Sequence, residues 1–61
     1  MHKTTIRNLE TNIEKKCDIL KKNDKVLEVV IENTTIKLTL FKKNKLYVGR
    51  FKDLEFVSNG N

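Results

Sequence analysis

From residue 25 onward the chain alternates. Leu27, Val29 and Ile31 are interleaved with Glu28, Val30 and Glu32, and beyond Asn33-Thr34 the residues Ile36, Leu38 and Leu40 are interleaved with Lys37, Thr39 and Phe41. A period of two sends successive side chains to opposite faces of a strand. A turn at Asn33-Thr34 sets Ile31 opposite Ile36, Val29 opposite Leu38 and Leu27 opposite Leu40, apolar against apolar each time. Slipping one residue would put Val29 against Lys37, so the pattern specifies the register. Lys42-Lys43-Asn44-Lys45 is a polar break, and residues 46–51 read as a third strand. Pairing Phe41 with Leu46 places Tyr47, Gly49 and Phe51 on the face of Leu38 and Leu40, and sets Lys37 opposite Arg50. Residues 54–58, with Leu54 and Phe56 to one side, form a candidate fourth strand, and residues 59–61 are expected to fray.

The first third reads differently. Ile6, Leu9, Ile13, Cys17 and Leu20 recur every three or four residues. At 100° per residue they fall within an arc of roughly 80°, the apolar stripe of an amphipathic helix. Glu10 and Glu14 come early and Lys21 and Lys22 late, which suits the helix dipole, and Asn23-Asp24 is a reasonable stop. Thr4 or Thr5 would cap a long helix. Thr11-Asn12-Ile13-Glu14 also reads as a capping box, which would leave residues 3–9 extended and shorten the helix. The longer form is preferred.

The expected architecture is therefore α+β, one domain over residues 1–61. A helix over about 5–22 would pack on a three- to four-stranded antiparallel meander, with strands over about 25–32, 35–41, 46–51 and the candidate 54–58. Its stripe would cover an inner face of Leu27, Val29, Ile31, Ile36, Leu38, Leu40, Tyr47 and Phe51. Gly49, mid-strand, would mark a bulge or the point where the helix packs close.

Size sharpens this picture. A chain of 61 residues buries only about 60% of the surface it exposes when unfolded, so packing quality or a second copy must supply the margin. The lone Cys17 forms no internal disulfide, and one Cys with one His does not make a zinc site. Cys17, on the stripe, is expected to be a small buried hydrophobe. No apolar run is long enough to span a membrane, and no signal-peptide pattern opens the chain, so the cytoplasm is the expected compartment.

The chemistry of catalysis is missing. The only His lies beside the initiator Met, the only Cys sits on the core stripe, and the carboxylates are scattered among lysines at surface periodicity. No glycine-rich phosphate loop occurs, and a pocket of roughly 300 Å³ is hard to build over one layer of core. No enzyme activity, metal, cofactor or small-molecule substrate is expected.

What remains is a surface. The net charge of +5 and pI of about 9.6 favour an acidic partner. Residues 33–52 hold Lys37, Lys42, Lys43, Lys45, Arg50 and Lys52 and no acid. By alternation the outer face of the sheet carries Val26, Val30, Phe41, Leu46 and Val48 beside that positive stripe. The expected function is nucleic-acid binding, as in small basic accessory proteins of mobile elements, with phosphates on Lys37, Lys42, Lys43, Lys45, Arg50 and Lys52 and bases against Phe41. The competing expectation is a protein contact. It would be a homodimer through Val26, Val30, Phe41, Leu46 and Val48, or an inhibitor docked on an acidic or nucleic-acid-binding surface of a target enzyme. Lys15, Lys16, Lys21 and Lys22 read as the solvated face of the helix.

Overall fold

The computed structural model of the protein describes residues 2–60, which form six strands: β1 Lys3–Asn8, β2 Glu14–Lys22, β3 Val26–Ile31, β4 Lys37–Lys43, β5 Leu46–Phe51 and β6 Leu54–Ser58. Each pairs antiparallel with the next, and β6 pairs back onto β1, closing the sheet into a barrel. No helix occurs among the described residues. The α+β expectation is corrected: the fold is all-β, and the segment over 5–22 contributes two strands.

The helical stripe dissolves into three environments. Ile6 on β1 and Cys17 on β2 point into the barrel and are fully buried. Leu9 and Ile13 lie in the connection between those strands, 43% and 56% exposed. Leu20 falls where the β2–β3 register shifts between Ile19 and Lys21, and is 48% exposed. A strand, a turn and a bulge thus reproduce helical spacing by accident of their lengths.

Period-two alternation on β1 exists but is masked by polarity. Its inward residues are Thr4, Ile6 and Asn8, all buried. Thr4 is tolerated because its hydroxyl shares a 3.0 Å hydrogen bond with that of Ser58, inside the barrel across the closing seam. Asn8 is tolerated because its Oδ1 accepts from the backbone N–H of Glu10 (2.8 Å) and of Thr11 (3.2 Å). The Thr11-Asn12-Ile13-Glu14 cluster makes a turn, not a helix start. The Thr11 hydroxyl accepts from Ile13 N–H at 3.2 Å, and Asn12 takes a left-handed φ of 60°.

The core is the barrel interior. Ile6, Cys17, Leu27, Val29, Leu38, Leu40, Tyr47 and Phe56 form one buried cluster, with Ile19, Ile31 and Phe51 packed at its margins. Closure explains why no covering helix is needed: a sheet rolled on itself buries one face and leaves no edge strand. Of the inward set expected for the meander, Leu27, Val29, Leu38, Leu40 and Tyr47 are in the cluster and Ile31 and Phe51 pack at its margin, whereas Ile36 is half-buried in the connection before β4.

Registers followed the sequence at one hairpin and not at the next. Leu27↔Leu40 and Val29↔Leu38 pair as the apolar pattern requires, and Ile31 N–H bonds the Ile36 carbonyl at 2.9 Å. In the following hairpin Phe41 pairs with Val48 and Lys43 with Leu46, so β4 runs through the expected break and turns only at Asn44-Lys45, where Asn44 has φ 59°. That is two residues from the expected register. A slip of two keeps every side chain on its face, which is why the core assignment survived. The expected Lys37–Arg50 opposition did not: Arg50 faces Glu55, and Lys37 faces Val30.

At Gly49 two strands come close together. The β4–β5 ladder covers residues 46–48 of β5, whereas the β5–β6 ladder covers residues 47–51, so β5 passes from one partner towards the other at this residue. A Cβ there would stand 2.6 Å from the Thr39 carbonyl oxygen and 3.0 Å from Leu40 Cγ. Close approach of β4, not a bulge or a helix, requires the glycine.

Candidate functional site

An up-and-down barrel has two ends, and the meander sorts the loops between them. Residues 9–13, 32–36 and 52–53 connect strands at one end; residues 23–25 and 44–45, with the two chain ends, lie at the other.

The second end is strongly basic. Lys22, Lys25, Lys42, Lys43 and Lys45 gather there, with Asp24 the one carboxylate in the connecting loops among the described residues. Tyr47 plugs the barrel beneath them: it is 3% exposed, and its hydroxyl donates to the Asn23 carbonyl at 2.7 Å. Lys42 stands with its Nζ 4.7 Å from the centre of that ring, a cation–π contact that holds the ammonium over the barrel end. The Lys42 N–H bonds the Lys25 carbonyl at 2.8 Å, tying the end of β4 to the 23–25 loop. Lys22 Nζ donates to the Gly60 carbonyl at 2.8 Å. Beside it lies a concavity of about 330 Å³ bordered by His2, Lys3, Ile19, Lys22 and Gly60. Lys3 contributes little free charge to it, because Glu32 and Asp18 both bind its ammonium and raise its pKa above the usual 10.5.

The outer wall next to this end is apolar. Val26, Phe41, Val48 and Val57 are successive cross-strand neighbours on β3 to β6, and the row continues into Arg7 and Glu14. Phe41, at its middle, is 59% exposed, and Leu46 lies beside it at 41%. Phe41 therefore does not fold under its neighbours.

The expected site residues divide accordingly. Lys42, Lys43, Lys45 and Phe41 are brought together, as are Val26, Phe41, Leu46 and Val48. Lys37 and Lys52 are carried toward the opposite end, and Lys52 sits over the Phe51 ring at 5.6 Å. Arg50 lies mid-strand against Glu55. Val30 is separated from Val26 by Glu28 and flanked by Asp18 and Lys37, so it leaves the apolar row. Sequence reasoning missed Lys22 and Lys25. Lys22 was assigned to a helix face and Lys25 to the start of a strand; only the antiparallel return of β4 sets them beside Lys42. The acid-free composition around residue 43 was the available signal for the end as a whole.

Cys17 is fully buried, and burial first, with Asp18 and Glu32 adding to it, pushes its thiol up from 9.0 to about 11. It is no nucleophile at neutral pH. Among the described residues no cluster of His, Cys, Asp or Glu could hold a metal ion, and no helix is long and apolar enough to cross a membrane. No family model, curated protein or solved structure matches this chain.

Proposed function

We propose that this protein is a non-catalytic, cytoplasmic nucleic-acid-binding protein that holds its ligand at the lysine end of the barrel. The observation that supports the reading is the convergence of Lys22, Lys25, Lys42, Lys43 and Lys45 on one end, where Asp24 is the only carboxylate in the connecting loops among the described residues. Phosphates lie on the lysines, and a base stacks on the exposed Phe41 ring where the basic end meets the outer wall. Lys37, Arg50 and Lys52 are outside this footprint. Contacts of this kind carry little sequence information, so affinity is salt-dependent and specificity low.

Fluorescence anisotropy of labelled oligonucleotides at about 50 and 200 mM salt tests this. Four phosphate contacts on a single strand imply roughly a 50-fold loss of affinity between those concentrations. Lys42→Glu/Lys43→Glu should abolish binding, and Lys37→Glu/Lys52→Glu should only weaken it. If both double variants weaken it equally, net charge rather than this site is responsible.

A second reading rests on the apolar row. Phe41 and Leu46, with the half-buried Val26 and Val48, form a contact surface for another copy of the chain or for a protein partner; Val57 lies buried beneath the row. Sedimentation of the wild type against Phe41→Ser/Val48→Ser separates the readings: a dimer that the double variant dissociates makes the row a self-association seam.

A further inference from the structure

The barrel end away from the lysines has different chemistry. We propose that it is a binding site for a small amphipathic monoanion, an apolar chain carrying one carboxylate, with the chain in the barrel mouth and the head group on Lys15. The site is independent of the nucleic-acid reading.

The mouth is a concavity of about 290 Å³ walled by Ile13, Ile31, Leu54 and Phe56. Three of the exposed large apolar side chains, Leu9, Ile13 and Leu54, cluster at this end. Leu54 opens β6, and Leu9 and Ile13 are held out by a built loop. Asn8 N–H bonds the Ile13 carbonyl at 3.0 Å, Asn12 N–H bonds the Asn8 carbonyl at 2.8 Å, and Leu9 N–H bonds Glu55 O at 3.0 Å. Together with the two bonds accepted by Asn8 Oδ1, these fix the 9–13 turn against β6. Its apolar side chains are therefore displayed by a rigid frame, the condition for a preformed pocket.

The polar groups on the lining decide what it accepts. Asn8 Oδ1 is engaged by two backbone donors, and the Thr11 hydroxyl accepts from Ile13 N–H. Lys15 shares the inward parity of Cys17 and reaches the mouth, and no carboxylate among the described residues pairs with it. The available handle is thus a cation with donors and no acceptor. An apolar body with an anionic head satisfies both the wall and the lysine; a cation or a second basic segment does not. The volume sits at the lower edge of ordinary ligand pockets, about 300 Å³, which favours a medium-length chain over a large ring system.

The test titrates the full protein with decanoate, decanol and decyltrimethylammonium, each below its micelle concentration, following backbone amide shifts. Decanoate should saturate and move the amides of Ile13, Lys15, Ile31, Leu54 and Phe56. Decanol should bind about three- to five-fold more weakly, the contribution of one exposed charge pair, and the cation weakest. Lys15→Gln should bring decanoate to the affinity of decanol, and Leu54→Asp, at an exposed position, should remove binding of both. Lys42→Glu/Lys43→Glu should retain decanoate binding. Equal affinity for all three ligands, shifts confined to the lysine end, or loss of discrimination only in Lys42→Glu/Lys43→Glu would overturn the proposal.

Discussion

Replacing Gly49 by alanine is the sharpest test of how this barrel is built. The backbone there is not in the left-handed region, so alanine brings no conformational strain. Its narrower unfolded ensemble would by itself stabilise the protein by about 0.4–1 kcal/mol. The contact works the other way. An added Cβ would be 2.6 Å from the carbonyl oxygen of Thr39 and 3.0 Å from Leu40 Cγ. Leu40 can rotate, but the carbonyl belongs to β4, whose place is fixed by its ladder with β3. Relief requires moving one strand against another, and overpacking of that kind costs about 1–3 kcal/mol. We take the upper half of that range because the obstacle is backbone, for a net destabilisation of about 2 kcal/mol. A domain of this size has only about 3–9 kcal/mol in total, and each kilocalorie is worth about 4–8 °C. Thermal unfolding followed by far-ultraviolet circular dichroism should therefore show Gly49→Ala melting about 8–16 °C below the wild type. Lys45→Ala, at an exposed turn, serves as the control and should stay within about 2 °C. A Gly49→Ala midpoint equal to or above the wild type would refute the close approach of β4 and β5 at this residue.

Other substitutions separate a barrel from a helical stripe. Ile6→Ala should cost about 2–5 kcal/mol as a filled core position; Leu9→Ala, Ile13→Ala and Leu20→Ala should each cost below about 1 kcal/mol, and similar losses at all four in urea titrations would restore the stripe. The Cys17 thiol is protonated in the fold up to about 11, above its ordinary 9.0. Between those values the unfolded chain has lost a proton that the folded chain retains, so stability falls as pH rises from about 9 toward 11. The urea midpoint should decline more steeply there for the wild type than for Cys17→Ala, and parallel declines would contradict the burial of the thiol. Asn8→Ala removes an acceptor for two backbone donors and should cost about 1–3 kcal/mol while shifting the amides of residues 9–13 most; shifts spread evenly over the barrel would argue against its local role.

Much of the second half of this fold is legible in the sequence because one face of each strand is buried. Leu27, Val29, Leu38 and Leu40 announce both their face and their register, since any odd slip would bury Lys37. The next hairpin shows the limit of that signal: a two-residue slip leaves the faces intact, so only the turn at Asn44-Lys45 distinguishes the registers, and it lacks a glycine to mark it. The turn between β5 and β6 is quieter still, with Lys52 and Asp53 both at positive φ, 49° and 66°, where asparagine and glycine are the usual signals. In the first third the sequence misleads for a physical reason. Helix and strand are read from the period of apolar residues, and here two inward positions on β1 are polar. Thr4 is acceptable inside only because Ser58, at the far end of the chain, shares its hydrogen bond, and Asn8 only because a turn needs its oxygen. The partner of Thr4 lies 54 residues away, and those of Asn8, the N–H groups of Glu10 and Thr11, are backbone groups that apolar periodicity does not reveal. Charge could be read as an excess over residues 33–52, but its placement could not, because antiparallel return sends Lys37 and Lys52 to one end and Lys42, Lys43 and Lys45 to the other. The sequence by itself determined which side chains share a face over residues 26–51 and that the chain is basic. Closure of the barrel, through pairings between distant segments, decided which residues fill the interior of β1 and β2, which lysines meet, and which apolar side chains are left at the open mouth.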